Sequence, residues 1–131
     1  MLIDVALGLP SFKTFQYSVP ETLEGKIALG KRVFVYVRTR RLIGYVVGLS
    51  QEKAVEEVKP IEAVVDDSPI LSREFLELTR WMSDYYLCSW GQAIESALPA
   101  PFKKGKFLMK SRGKNYTAFI KIYSSTSQHP G

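Results

Sequence analysis

Leu2 to Leu7 alternates and then runs apolar, as a strand does, until Pro10 and Ser11 interrupt it. Phe15, Tyr17 and Val19 alternate with Gln16 and Ser18 and predict a second strand that stops at Pro20. Glu21 to Gly30 reads as a polar connection. Lys31 to Arg38 has the cleanest period of two, with Val33, Val35 and Val37 on one side and Arg32, Phe34, Tyr36 and Arg38 on the other. Thr39, Arg40 and Arg41 form the expected turn, and Leu42 to Leu49 returns as the partner, with Gly44 and Gly48 marking bends or bulges. Lys59 to Val65 is a fifth strand, opened by Pro60.

The period then changes. Ser72 is a good N-cap, and Glu74 sits in the first turn, where the helix dipole favours an acid. Phe75, Leu78, Met82 and Tyr85/Tyr86 recur at helical spacing and predict a buried stripe over residues 73–87, with Trp81, Tyr85 and Tyr86 counted as core. Gly91 reads as a break, and Gln92 to Leu98 suits a short second helix stopped by Pro99. Strands first and helices afterwards is an α+β pattern: a small twisted sheet or open barrel of about five strands followed by two helices. Residues 1–105 form the expected domain. Residues 106–131 read as a linker and the start of a following domain, or as a disordered tail, with too few residues for a core of their own.

Charge sharpens this picture. Residues 26–51 hold six bases and no acid, whereas residues 52–77 hold eight acids and three bases. The net charge of +5 comes entirely from Lys106, Lys110, Arg112, Lys114 and Lys121, since residues 1–105 balance. Rings share the basic segments: Phe12, Lys13, Phe15 and Tyr17, then Lys31, Arg32, Phe34, Tyr36, Arg38, Arg40, Arg41 and Tyr45. Rings stack on unpaired bases and cations neutralise phosphates, so the pattern suits a single strand or strand end better than a duplex groove.

Several chemistries lack their residues. One cysteine and one histidine, Cys88 and His129, cannot assemble a zinc site or a nucleophilic triad. Gly25-Lys26 and Gly30-Lys31 lack the remainder of a phosphate-binding loop. Asp66-Asp67 reads as a solvated turn before Ser68-Pro69. Cys88 reads as a small packed residue. No apolar run is long enough to span a membrane, and the N-terminus lacks a signal-peptide pattern, so a cytoplasmic setting is expected. No catalytic residue is assigned.

Four stretches carry a resemblance. They are Val5-Ala6-Leu7 with Thr14-Phe15-Gln16-Tyr17-Ser18-Val19-Pro20; Gly30-Lys31-Arg32-Val33-Phe34-Val35 with Ile43-Gly44-Tyr45-Val46-Val47; Lys59 to Val65; and Trp81-Met82-Ser83-Asp84-Tyr85-Tyr86 with Gly91 and Ala97-Leu98-Pro99. In order and spacing, residues 2–105 resemble the N-terminal DNA-binding domain of the primosomal replication-restart helicase family PriA.

The resemblance implies recognition of the 3′-terminal nucleotide of a nascent strand at a stalled replication fork. Its partners would be DNA with a free 3′ end, forked DNA, and other primosome or single-strand-binding proteins. It places the 3′-end pocket at Phe15, Gln16 and Tyr17, with Lys59 as the pocket lysine. Gln16 replaces the usual acid, keeping hydrogen-bonding capacity and losing the charged acceptor. Arg38 stands where a pocket glycine normally sits, and could add a phosphate contact. The basic hairpin at Arg40 and Arg41 is a further candidate phosphate contact. One of Phe15 and Tyr17 belongs to the core, and Phe15 is the one expected to line the pocket. The family is an ATP-dependent 3′-to-5′ helicase whose motor and zinc-binding cysteines lie downstream, so no enzyme activity and no cofactor are expected of this chain. Residues 106–131 resemble the start of the family's winged-helix domain. Two rival readings are a generic single-strand-binding barrel and a protein-interaction module of a larger complex.

Overall fold

The computed structural model describes residues 1–11, 13–50, 53 and 57–99. Phe12 and the expected linker and tail at residues 106–131 lie outside the described residues. The elements run β1 (Leu2–Leu7), β2 (Phe15–Ser18), α1 (Glu21–Glu24), β3 (Arg32–Val37), β4 (Arg40–Ser50), β5 (Ala63–Val64), α2 (Arg73–Tyr86) and α3 (Trp90–Ala97). This is an α+β fold with an antiparallel sheet in the order β2-β1-β4-β3-β5.

The sheet is open but strongly curled. Between β1 and β4, Asp4 pairs with Gly48 and Val5 with Val46, so Val47 is an extra residue. Such a bulge bends its strand and increases the local twist. The curl brings the two edges together. The Ser18 amide donates to the Lys59 carbonyl (2.9 Å) and the Ile61 amide to the Ser18 carbonyl (3.0 Å), a single parallel bridge from β2 to the segment that enters β5. The Tyr17 hydroxyl donates to the Tyr36 carbonyl at 3.2 Å, although three strand positions separate β2 from β3 in the sheet.

Curling gives the sheet two cores. Its inner face closes on Ile3, Val5, Leu7, Tyr17, Val19, Val33, Val35, Val46 and Ile61. Its outer face carries Ala6, Ile43 and Tyr45 against Phe75 and Leu76 of α2 and Ile94 of α3. Both helices start as their sequences dictate. Ser72 Oγ accepts from the Phe75 amide at 3.0 Å. Ser89 and Gln92 form a reciprocal capping box, the Gln92 amide donating to Ser89 Oγ at 3.1 Å and the Ser89 amide to Gln92 Oε1 at 3.0 Å.

The tertiary structure corrects several local expectations. The β3–β4 turn is Arg38-Thr39, so Arg40 and Arg41 lie inside β4 and not in the turn. The strand expected over Lys59 to Val65 shrinks to Ala63–Val64, because its first half crosses to β2. The connection after Pro20 contains the one-turn helix α1. Gly91 is not a break. It lies in the first turn of α3, where only the lack of a Cβ lets the helix rest on the Leu7 carbonyl.

Asp66 is not in a solvated turn either. It takes the fully buried Arg32 guanidinium, with Arg32 Nη2 to Oδ1 at 2.6 Å and Nε to Oδ2 at 3.0 Å. Arg32 therefore leaves the basic aromatic row, and Lys31 is also buried, its Nζ donating to the Lys26 carbonyl. Trp81, Tyr85 and Tyr86 are exposed at 57%, 66% and 66%, and are not core. The buried stripe of α2 is Phe75, Leu76, Thr79 and Ser83. Thr79 and Ser83 reach it by returning their hydroxyls to the helix's own carbonyls, Phe75 O at 2.9 Å and Arg80 O at 2.6 Å.

Candidate nucleic-acid interface

The candidate interface lies where the curled sheet meets its own edge. β2 carries Phe15, Gln16 and Tyr17, and alternation splits them between two faces. Phe15 and Tyr17 turn to the inner core. Tyr17 is 5% exposed and Phe15 is half-buried, so Phe15 keeps ring surface open to solvent while Tyr17 is fixed through its hydroxyl. Burial raises the Tyr17 pKa, which keeps that hydroxyl protonated as a donor. Gln16 faces the other way, and its Nε2 donates to Ser50 Oγ at 3.0 Å. The outward-turned Ser18 backbone at the bridge implies that Gln16, two residues earlier, also turns its backbone to this edge.

Two hydrogen bonds gather the remaining candidates. The bridge to Ser18 holds Lys59 next to β2 and leaves its side chain exposed. The Tyr17–Tyr36 bond holds the end of β3, two residues before exposed Arg38. The bridge and the Tyr17–Tyr36 bond thus draw three separate segments to one rim, with Phe15 and Tyr17 on its inner side and Gln16 turned to the other face. Arg40 and Arg41 follow on β4 but diverge. Arg41 turns to the outer face, where its Nε binds Glu62 Oε2 at 2.6 Å and its guanidinium lies 3.7 Å above the Phe34 ring. Arg40 is exposed on the opposite side of the strand.

Arg38 occupies a left-handed conformation, with φ at 59°. This region costs a side-chain-bearing residue roughly 1–2 kcal/mol, whereas glycine enters it freely. The resemblance sets a glycine at this position, and the turn geometry supplies a reason that needs no ligand. Arg38→Gly is expected to raise stability by roughly 0.5–1 kcal/mol, because glycine's own entropy cost offsets part of the relief. Urea denaturation measures this, and a loss of stability would remove the strain argument. If Arg38 also contacts phosphate, the same variant lowers the salt slope of DNA binding by about 1.

Among the described residues, no group of three or more His, Cys, Asp or Glu could hold a metal ion, and no helix is long and apolar enough to cross a membrane.

The chain that carries this arrangement, an exposed lysine and a turn arginine beside an edge strand with a half-buried ring, is similar in sequence to proteins of known family. A profile of the 3′ DNA-binding domain (3′BD) of PriA matches residues 4–99. The chain belongs to the PriA 3′ DNA-binding domain family. It is 32% identical over 93 residues to the replication restart protein PriA of Bacillus subtilis, covering 70% of this chain and 12% of that protein. It is 30% identical over 104 residues to PriA of Treponema pallidum, covering 75% and 16%. With PriA of Rickettsia typhi the identity is 32% over 123 residues, covering 92% and 19%. The chain therefore spans less than a fifth of the length of these relatives. As a 3′BD it is a DNA-binding module of the replication-restart kind.

Sequence reasoning missed what surrounds the rim. The rings of Trp81 and Tyr85 stack at 5.1 Å, and Tyr86 meets Tyr85 edge-on at 4.9 Å, all in solvent. Their spacing fits a buried stripe equally well, and no local signal separates the two. Glu95 was also unmarked. It lies on α3 beside the buried Tyr45 hydroxyl, whose pKa is raised by burial first and by that carboxylate second.

Proposed function

We propose that this 3′BD captures the 3′-terminal nucleotide of a nascent strand at a stalled fork, as a non-catalytic part of a replication-restart helicase. Phe15 offers ring surface to the terminal sugar or base. Gln16 exchanges hydrogen bonds with a base edge or the 3′-hydroxyl, and Lys59 and Arg38 take the adjoining phosphates. Binding of this kind draws on neither ATP nor zinc within the domain. The observation that carries the reading is the Ser18–Lys59 bridge, which sets an exposed lysine beside the strand that bears Phe15 and Gln16.

The test compares two matched oligonucleotides by fluorescence anisotropy, one ending in a 3′-hydroxyl and the other in a 3′-phosphate. A clear preference for the hydroxyl is expected. Lys59→Ala should weaken binding about tenfold at low salt with little change in melting temperature, in line with loss of one charge-assisted hydrogen bond. Equal binding to both ends would leave a generic single-strand binder. Binding to neither would move the weight to a second reading, a protein-interaction surface, which one observation favours: the exposed Trp81, Tyr85 and Tyr86 cluster.

A further inference from the structure

A second cleft, of about 490 Å³, opens on the far side of the β3–β4 hairpin between Phe34, Arg40, Arg41, Leu42 and Ile43, and the Gly8-Leu9 turn and Glu95. Its size falls in the range of roughly 300–1,000 Å³ that holds small organic ligands. Its construction is specific. Cross-strand pairing of Tyr36 with Arg41 and of Phe34 with Ile43 puts Arg41 diagonally opposite Phe34 on one face. The guanidinium carbon sits 3.7 Å from the centre of that ring, and Glu62 Oε2 binds the Arg41 Nε at 2.6 Å. The Arg41 side chain remains 48% exposed, so guanidinium surface away from Phe34 is open for a base to stack on. Glu62 balances the Arg41 charge, so Arg40 at the rim is the cation for a phosphate.

The opposite wall supplies an acceptor. Glu95 lies directly on the Gly8 backbone, in space that any Cβ at that position would occupy. A carboxylate has about four lone-pair sites, so it can accept from a ligand donor alongside its contacts within the fold. The cleft also adjoins the proposed end-binding rim: Leu9 and Leu42 line it and pack on the same inner cluster as Phe15 and Tyr17.

We propose that this cleft holds a second, unpaired nucleotide of the bound strand, with the base on the Arg41 guanidinium, an exocyclic amino group donated to the Glu95 carboxylate, and a flanking phosphate on Arg40. The proposal rests on the reading of the domain as a DNA-binding module. It carries a base preference. Adenine, cytosine and guanine each have an exocyclic amino donor, whereas thymine has none and its single ring donor, N3–H, is flanked by two carbonyl oxygens that a carboxylate repels.

The experiment uses the unaltered chain and oligo-dT with a 3′-hydroxyl. One thymine at a time is replaced by cytosine, or by an abasic residue, at successive distances from the 3′ end. At one fixed position cytosine should tighten binding roughly fivefold or more, and the abasic residue should weaken it. Glu95→Gln, of nearly the same size, should abolish the cytosine preference while leaving the preference for a 3′-hydroxyl over a 3′-phosphate. Should that variant fail to fold, Arg41→Ala on the exposed face should weaken binding at that position and leave the 3′-end preference. A flat profile along the strand overturns the cleft proposal. If the 3′-hydroxyl preference survives a flat profile, only the second cleft falls. A positional preference without end discrimination would keep the cleft and remove end capture.

Discussion

Asp66→Ala is expected to cost the domain about 3–5 kcal/mol, the usual penalty for removing one partner of a buried ion pair. Arg32 is wholly buried, and Asp66 takes both its side chain and its backbone amide, the latter at 2.9 Å. Without the carboxylate the guanidinium stays charged and dry. Domains of this size are held by roughly 5–15 kcal/mol, so the loss would leave a marginal fold. Urea denaturation followed by circular dichroism would measure it. A loss below about 1 kcal/mol would mean that Arg32 finds another acceptor and that Asp66 does not anchor β3. Replacing both residues, Arg32→Met with Asp66→Leu, should recover much of the loss, because the cost lies in stranding a charge and not in forgoing the pair. The pair ties β3 to the chain just beyond β5. A two-residue strand has little register of its own, and this anchor supplies one.

Gly91→Ala should lower stability by about 1–3 kcal/mol even though alanine is the better helix former by about 1 kcal/mol. A Cβ there meets the Leu7 carbonyl and the Gly8 amide nitrogen, both backbone atoms that cannot rotate away. α3 would have to lift from β1, loosening Ile94 from the outer core and Glu95 from Gly8. At roughly 4–8 °C per kcal/mol for a domain of this length, a thermal melt should register a fall of at least about 4 °C. A rise would mean that helix propensity had won and that α3 slides freely on the sheet.

Short-range chemistry was legible where it was decisive alone. Alternation located four of the five strands, since each needs only one buried face. Ser72 announced the start of α2, because an N-cap satisfies a backbone donor within its own turn. The ordered motifs around Phe15, Gly30 and Trp81 sufficed for the family resemblance. The row Arg32, Phe34, Tyr36 and Arg38 reads as one basic aromatic face, and the period holds through Tyr36, whereas Arg38 falls in the turn. Its environment was not uniform. The helices cover one end of that face, so Arg32 is buried against Asp66, Phe34 is half-buried, and Tyr36 and Arg38 are exposed.

The same limit governs the site. Lys59 and β2 lie about forty residues apart, and nothing near either one states that the curled sheet will bridge Ser18 to Pro60. The division of Arg40 from Arg41 depends on where the turn falls, and one residue of difference moves each side chain to the opposite face. On α2, Trp81 and Tyr85 share a helical period with Phe75 and Leu78. Which set is buried depends on the rotation of the helix against the sheet, and that is fixed by Trp90, Thr79 and α3 packing together. The sequence by itself determined four of the strands, the α2 start and the family. The tertiary structure alone decided which charges are buried in the core and which stay exposed, because burial belongs to the assembled surfaces and not to any local period.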